Sequence, residues 1–216
     1  IGHSKEEIRE TSRLLVREKI ENILALRGDP PQEGPAQSDF TYARNLIEYL
    51  RDLEPFCIGA AAYPEGHPET LRAAEEMVYL KEKVDAGVDF LITQLVFDNR
   101  RIYDFLERLA GTGISCPVFI GVMPVYNTRQ IQRITALCGA TIPRELNSLL
   151  EKYVTSPVDA EKAGIDYAAA QIADLREQGV DGIHLYTMNK PRQTREILRR
   201  FPETDRQGKK YIRREE

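Results

Sequence analysis

The stretch KEKVDAGVDFLITQLVFD, residues 81–98, carries the fold question in one line. Upstream of Gly87, Leu71, Ala74, Met77, Val78 and Val84 recur at helical spacing over 69–86. The glycine then stops the helix. Beyond it, FLITQLVF (90–97) is an apolar run of strand length. A helix that hands over to a buried strand across one glycine is the junction of a βα unit.

The same handover recurs along the chain. A helix is expected over 5–18, followed by the buried strand NILAL (22–26). In 39–53, Phe40, Ala43, Leu46, Ile47, Leu50 and Leu53 keep the helical period. FCIGAAAY (56–63) is the second strand, and a helix over 100–110 follows the third. PVFIGVMP (117–124) is the fourth strand, a helix covers 128–138, and DGIHLYT (181–187) is the fifth strand. The first four strands start roughly thirty residues apart, a spacing that needs crossover helices and so makes the strands parallel. The longer interval before the fifth leaves room for IPRELNSLL (142–150) and an amphipathic helix over 160–178.

The class is therefore α/β, as a doubly wound open sheet or as a (βα)8 TIM-type barrel with five strands present. Polar residues gather at the C-terminal ends of all five strands: Arg27 and Asp29; Tyr63, Glu65 and His67; Gln94; Tyr126 and Asn127; Tyr186, Thr187 and Asn189. An open sheet concentrates its site at one switch point, so contributions from every strand favour the barrel. Five barrel strands would leave two open edges, and further strands upstream are expected. The chain also opens on Ile1 rather than methionine, as a processed or incomplete chain would. Residues 1–200 are read as a partial barrel and 201–216, which are charged and thinly apolar, as a tail or linker.

A net charge of -4 gives no electrostatic case for a nucleic-acid partner. No apolar run approaches a membrane span, so no membrane partner is expected. Three scattered cysteines, Cys57, Cys116 and Cys138, fit a reduced, cytoplasmic protein, with Cys57 and Cys116 as small core residues.

LRGDPP (26–31) is either a solvated turn or a ligand-facing strand mouth. In the second case Arg27 offers a fork for a phosphate or for Asp29, and Asp29 places negative charge beside a ring or a cationic intermediate. In AAYPEGHPE (61–69), Tyr63, Glu65 and His67 sit on a stiffened loop. Glu65 and His67 are too few for zinc, and no metal is expected. His67 suits a phosphate or ribose; the plain alternative is an exposed histidine with Glu69 capping a helix. Glu76 and Lys83 lie two turns apart on one helix face, ordinarily a solvated pair. The Gln94 amide needs a partner at its strand end and can hold a heterocycle through paired donor and acceptor. His184 falls inside its strand, facing the core or backing the site, and Met188 is suited to packing on a flat ring. GTG (111–113) precedes a strand and lacks a third glycine, which rejects a dinucleotide fingerprint.

Taken together, NILALRGDPP, AAYPEGHPE, KEKVDAGVDFLITQLVFD, GVMPV and HLYTMNK closely resemble methylenetetrahydrofolate reductase, in order and over about residues 1–200. The resemblance implies a flavin-containing (βα)8 barrel of which the fourth to eighth strands are present. It implies hydride transfer from NADH or NADPH to FAD and on to 5,10-methylenetetrahydrofolate, giving 5-methyltetrahydrofolate in a ping-pong sequence, in an expected homo-oligomer. Carried over by position, Asp29 resembles the aspartate near flavin and pterin that favours the folate iminium. Arg27, Tyr63, His67 and Lys83 resemble cofactor contacts. Glu76 stands where bacterial members have an aspartate contacting the cofactor. Gln94 resembles the folate-binding glutamine, also able to meet nicotinamide, and Tyr186 a tyrosine at the substrate end. Lys190 replaces the usual arginine and keeps charge without the fork. The glutamate general acid of the family belongs to strands not present, and Glu65 is a poor substitute. A catalytically incomplete remnant or partner subunit, and a different barrel enzyme binding a phosphate-bearing ligand, are the competing expectations. A regulatory domain after the tail is left open.

Overall fold

Five strands and the helices between them account for most of the chain in a computed structural model, which describes residues 2–29, 38–67, 73–201, 203–204 and 210–211. The order is α1 (Lys5–Arg17), β1 (Asn22–Ala25), α2 (Ala43–Leu53), β2 (Cys57–Ala62), α3 (Ala73–Asp85), β3 (Phe90–Thr93), α4 (Asn99–Ala110), β4 (Val118–Val122), α5 (Thr128–Cys138), α6 (Arg144–Lys152), α7 (Pro157–Glu177), β5 (Gly182–Leu185) and α8 (Pro191–Arg200). Two short strands, β6 (Glu203–Thr204) and β7 (Lys210–Tyr211), pair antiparallel within the charged C-terminal segment. The prolines at 30 and 31, the proposed cap at Glu69 and Leu71 lie outside the described residues.

The five long strands are parallel and their order is β1-β2-β3-β4-β5, the order of the sequence. A doubly wound sheet would reverse direction at a switch point. Sequential order without reversal is the arrangement of consecutive barrel strands, as the polar strand ends led us to expect.

The chain groups into two compact units. The first is Ile1–Gln94 with Arg100–Ile120, and the second is Leu95–Asn99 with Gly121–Glu216. In the first, β1 pairs with β2 from Asn22↔Cys57 to Ala25↔Ala60, and β2 with β3 from Gly59↔Phe90 to Ala62↔Thr93. The small residues of β2 have a packing reason: a Cβ at Gly59 would lie 2.4 Å from the Phe90 ring. That ring in turn meets Phe119 edge-on at 5.9 Å. At the opposite strand ends, Arg51 of α2 ties the layers together. Its Nε donates to Gly87 O at 2.5 Å and its Nη1 to Phe56 O at 2.7 Å, while Nη2 pairs with Asp89. Asp89 also accepts from the Ile58 amide at 2.7 Å. Gly87 at φ +114 stops α3 as expected, and a Cβ there would meet the Arg51 side chain.

Two expectations are corrected in this unit. NILAL is not a buried strand: only Ala25 of β1 is buried, and Leu24 and Leu26 are exposed. The reason is its place at the edge of the sheet, with β2 on one side only. Cys57 and Cys116 are partly exposed rather than core, Cys57 because it opens its strand and Cys116 because it lies in the turn before β4.

In the second unit the core gathers Leu95, Phe97, Met123, Val125, Ile131, Leu146 and Leu150, with Tyr167 and Tyr186 packed against it. The run expected as one strand over 90–97 leaves strand geometry after Thr93. Its buried end keeps its carbonyls satisfied by α7: Gln171 Nε2 donates to Val96 O and the Tyr167 hydroxyl to Phe97 O, each at 2.7 Å. Helix α7 comes close to the loop after β4 because Gly164 lacks a side chain; a Cβ there would sit 1.7 Å from Val125 O. The long interval before β5 is filled by α6 and α7, as its length required.

Candidate active site

The loop after β1 turns at Gly28, whose φ of +75 suits glycine. Arg27 Nε donates to Gly28 O at 3.3 Å, and Asp29 follows, exposed. The loop after β2 closes as a turn in which the Gly66 amide donates to Tyr63 O at 3.0 Å. Arg108 of α4 holds it from outside, donating to Pro64 O at 2.8 Å. This places His67 edge-on to the Tyr63 ring, with centroids 4.6 Å apart.

Helix α3 supplies the third wall. Lys83 reaches back along it and donates to Ala61 O at 2.7 Å, with its ammonium 5.6 Å from the Tyr63 ring centroid. Burial holds the Lys83 ammonium below the usual lysine range, and the Glu76 carboxylate opposes that shift. Glu76 is itself only 4% exposed and accepts from the His67 amide at 3.3 Å. The solvated-pair reading of Glu76 and Lys83 is therefore overturned. Seven residues is two turns, and the face they share looks inward.

These groups line one cavity of about 870 Å³, entirely within the first unit. Arg27, Asp29, Tyr63, His67, Glu76 and Lys83 are all on its wall. So are five residues the sequence reading passed over: Tyr42, Arg44, Glu75, Tyr79 and Glu82. They come from the first turn of α2 and from α3, and the signal for them was faint. Loops after strands draw the eye, whereas an arginine and a glutamate on two amphipathic helices read as surface charge. Arg44 Nη1 bonds Glu82 Oε2 at 2.6 Å, joining α2 to α3. His3 lines a smaller cavity of about 220 Å³ that shares Arg27 and Gly28.

Gln94 directly follows β3, half-buried, and its backbone N–H continues the ladder by donating to Ala62 O at 2.7 Å. Glu65 does not line the cavity. Among the described residues, no three His, Cys, Asp or Glu side chains are placed to hold a metal ion. No described helix is long and apolar enough to cross a membrane.

Tyr186 and Lys190 belong to the second unit. The Tyr186 amide donates to Val122 O at 2.9 Å and its ring meets His184 at 4.7 Å. Burial lowers the His184 pKa. Met188 and Asn189 have φ of +50 and +56, and Met188 is exposed. Lys190, exposed, precedes α8, a helix that the sequence reading did not identify. Its signals were Pro191 at the first turn and a single buried aliphatic, Ile197.

Residues 1–202 match the family model described as methylenetetrahydrofolate reductase. The 5,10-methylenetetrahydrofolate reductase of Pectobacterium carotovorum subsp. carotovorum is 34% identical over 190 residues, covering 88% of this chain and 63% of that protein. Methylenetetrahydrofolate reductase (NADH) 1 of Arabidopsis thaliana is 33% identical over 204 residues, covering 88% of this chain and 33% of that protein. The chain thus spans less than two thirds of the length of either relative. Among solved structures, an uncharacterized protein from Clostridium thermocellum that binds two copies of 5-methyl-5,6,7,8-tetrahydrofolic acid superposes with a TM-score of 0.51 at 18% identity. The match covers 85% of this chain and 62% of that one, a likeness of fold.

Proposed function

Because the chain belongs to the methylenetetrahydrofolate reductase family, we propose that it forms the flavin-binding part of an enzyme that reduces 5,10-methylenetetrahydrofolate to 5-methyltetrahydrofolate. NADH or NADPH is the reductant, and the two substrates take turns at one site. The observation that carries this reading is the single cavity shared by Arg27, Asp29, Tyr63, His67, Glu76 and Lys83. Its volume of about 870 Å³ suits a cofactor-sized ligand.

The donor set fits FAD. Arg27 and Lys83 bring positive charge for a pyrophosphate, His67 can donate to phosphate or ribose, and Tyr63 offers an aromatic face. The flavin supplies the hydride-accepting and hydride-donating chemistry that no side chain has. Asp29, at the exposed mouth of β1, favours positive charge developing on the folate. Gln94 orients the pterin through its paired donor and acceptor. Tyr186 and Lys190 are assigned to the substrate end, and Lys190 supplies charge to a folate carboxylate. Residues 1–200 form the catalytic portion and 201–216 a tail or linker, in a cytoplasmic protein.

The test is titration of the purified protein with FAD, followed by its visible absorbance. Saturation at one flavin per chain with a perturbed spectrum supports the reading. A spectrum that stays that of free flavin at all ratios rejects it for this chain.

A further inference from the structure

We propose that Arg44 is the residue through which the cavity holds a phosphate group of its ligand, with Glu82 as the carboxylate that keeps the guanidinium on the wall. The proposal deepens the flavin-dinucleotide reading above and rests on it for the identity of the ligand.

The cations of the cavity are engaged in different ways. Lys83 is anchored to Ala61 O beside a buried Glu76, so one of its three donors is engaged before any ligand arrives. Arg44 differs. Its Nη1 is bonded to Glu82, but Nε is buried and has no hydrogen-bond acceptor, with a Glu48 carboxylate oxygen 3.8 Å away. Ring and guanidine N–H groups rarely stay buried and unpaired without a reason. A guanidinium has five N–H donors in a planar fork, so one occupied edge leaves capacity for a second anion.

Position adds to this. Arg44 is the second residue of α2, an eleven-residue helix, and Tyr42 and Ala43 before it also line the cavity. The Tyr42 amide is taken up by Asn45 Oδ1 and the Asn45 amide by Tyr42 O, so this helix start contributes mainly the positive end of its dipole, which favours phosphate beside an arginine.

Glu82 would by itself repel a phosphate. Neutralised by Arg44 it does not, and it fixes a long flexible side chain before the ligand arrives, which lowers the ordering cost of binding. The plain alternative is an interhelical surface pair. With side chains 39% and 44% exposed, such a pair contributes little to stability and predicts no ligand dependence.

The experiment compares the wild-type protein with Arg44→Ala and Arg44→Lys in their affinity for FAD, ADP and riboflavin. Urea midpoints serve as a control for folding. The expected result is a loss of roughly ten- to hundredfold for FAD and ADP in Arg44→Ala, with riboflavin, which has no phosphate, unchanged. Arg44→Lys recovers only part of it, because the fork is missing. Unchanged FAD and ADP affinity in Arg44→Ala overturns the assignment while leaving the flavin reading intact. Equal loss of riboflavin overturns it too, since that is a damaged site. Arg44-dependent ADP binding without riboflavin binding upholds Arg44 and rejects the flavin. A wild-type protein that binds none of the three rejects both.

Discussion

The Lys83 ammonium donates to the carbonyl oxygen of Ala61 across 2.7 Å, linking α3 to the C-terminal end of strand β2 on the wall of the cavity. A charged group so placed is held at the cost of its hydration. Lys83→Met should change stability by no more than about 1 kcal/mol, because the lost hydrogen bond and the relieved desolvation oppose each other. It should weaken FAD binding by roughly tenfold. The folded-state pKa is below the ordinary 10.5, so between the two values the unfolded chain holds more protons. Wild-type stability therefore rises with pH in the window just below 10.5, and Lys83→Met should lose that rise. Urea titrations across the window check both points.

Asp29 lies at the open mouth of the same cavity. Asp29→Ala should slow the reaction of reduced enzyme with methylenetetrahydrofolate by roughly tenfold or more, since charge developing on the folate loses its counter-charge. Reduction of the enzyme by NADH should suffer less. Stopped-flow measurement of the two half-reactions separates them, and equal losses would count against this role.

Gly164→Ala should be among the most damaging single changes in the chain. The added Cβ would stand 1.7 Å from Val125 O, a backbone atom that cannot swing aside. The helix or the loop after β4 must move, at about 3 kcal/mol or more. The urea midpoint of the variant reads this, and a wild-type value would refute the close approach.

Tyr126 is 7% exposed, and its hydroxyl has no hydrogen-bond partner. Burial, helped by the nearby Glu161 carboxylate, pushes its pKa up to about 12. Tyr126→Phe should stabilise the protein by about 1 kcal/mol by removing an unsatisfied buried group. The neutral phenol favours the folded state, so its linkage contribution is complete below pH 10 and is lost as pH rises toward 12. The variant should show a shallower loss of stability over that range, and ultraviolet titration should miss one late-ionising tyrosine.

The strand–helix alternation was legible because helices leave a 3.6-residue apolar period and the strands short continuous apolar runs, and Gly87 punctuated them as read. The wall of the cavity was legible where it came from strand ends, at Arg27, Asp29, Tyr63 and His67. It was obscured where it came from helices. Glu76 and Lys83 look like a solvated pair until α3 is laid against β2, and Arg44 and Glu82 are far apart in sequence. The mistaken burial of NILAL has the same origin. Composition tells that a segment is apolar, and only the strand order tells that β1 stands at an edge.

Strand order that follows chain order also has a kinetic meaning. Each pairing in the first unit, such as Ile23 with Ile58 or Ala60 with Leu91, closes a loop of only one βα unit. Loop-closure entropy stays small at each step, and no early strand waits for a late one before it finds a neighbour. A chain built this way can acquire structure as it leaves the ribosome, one unit templating the next.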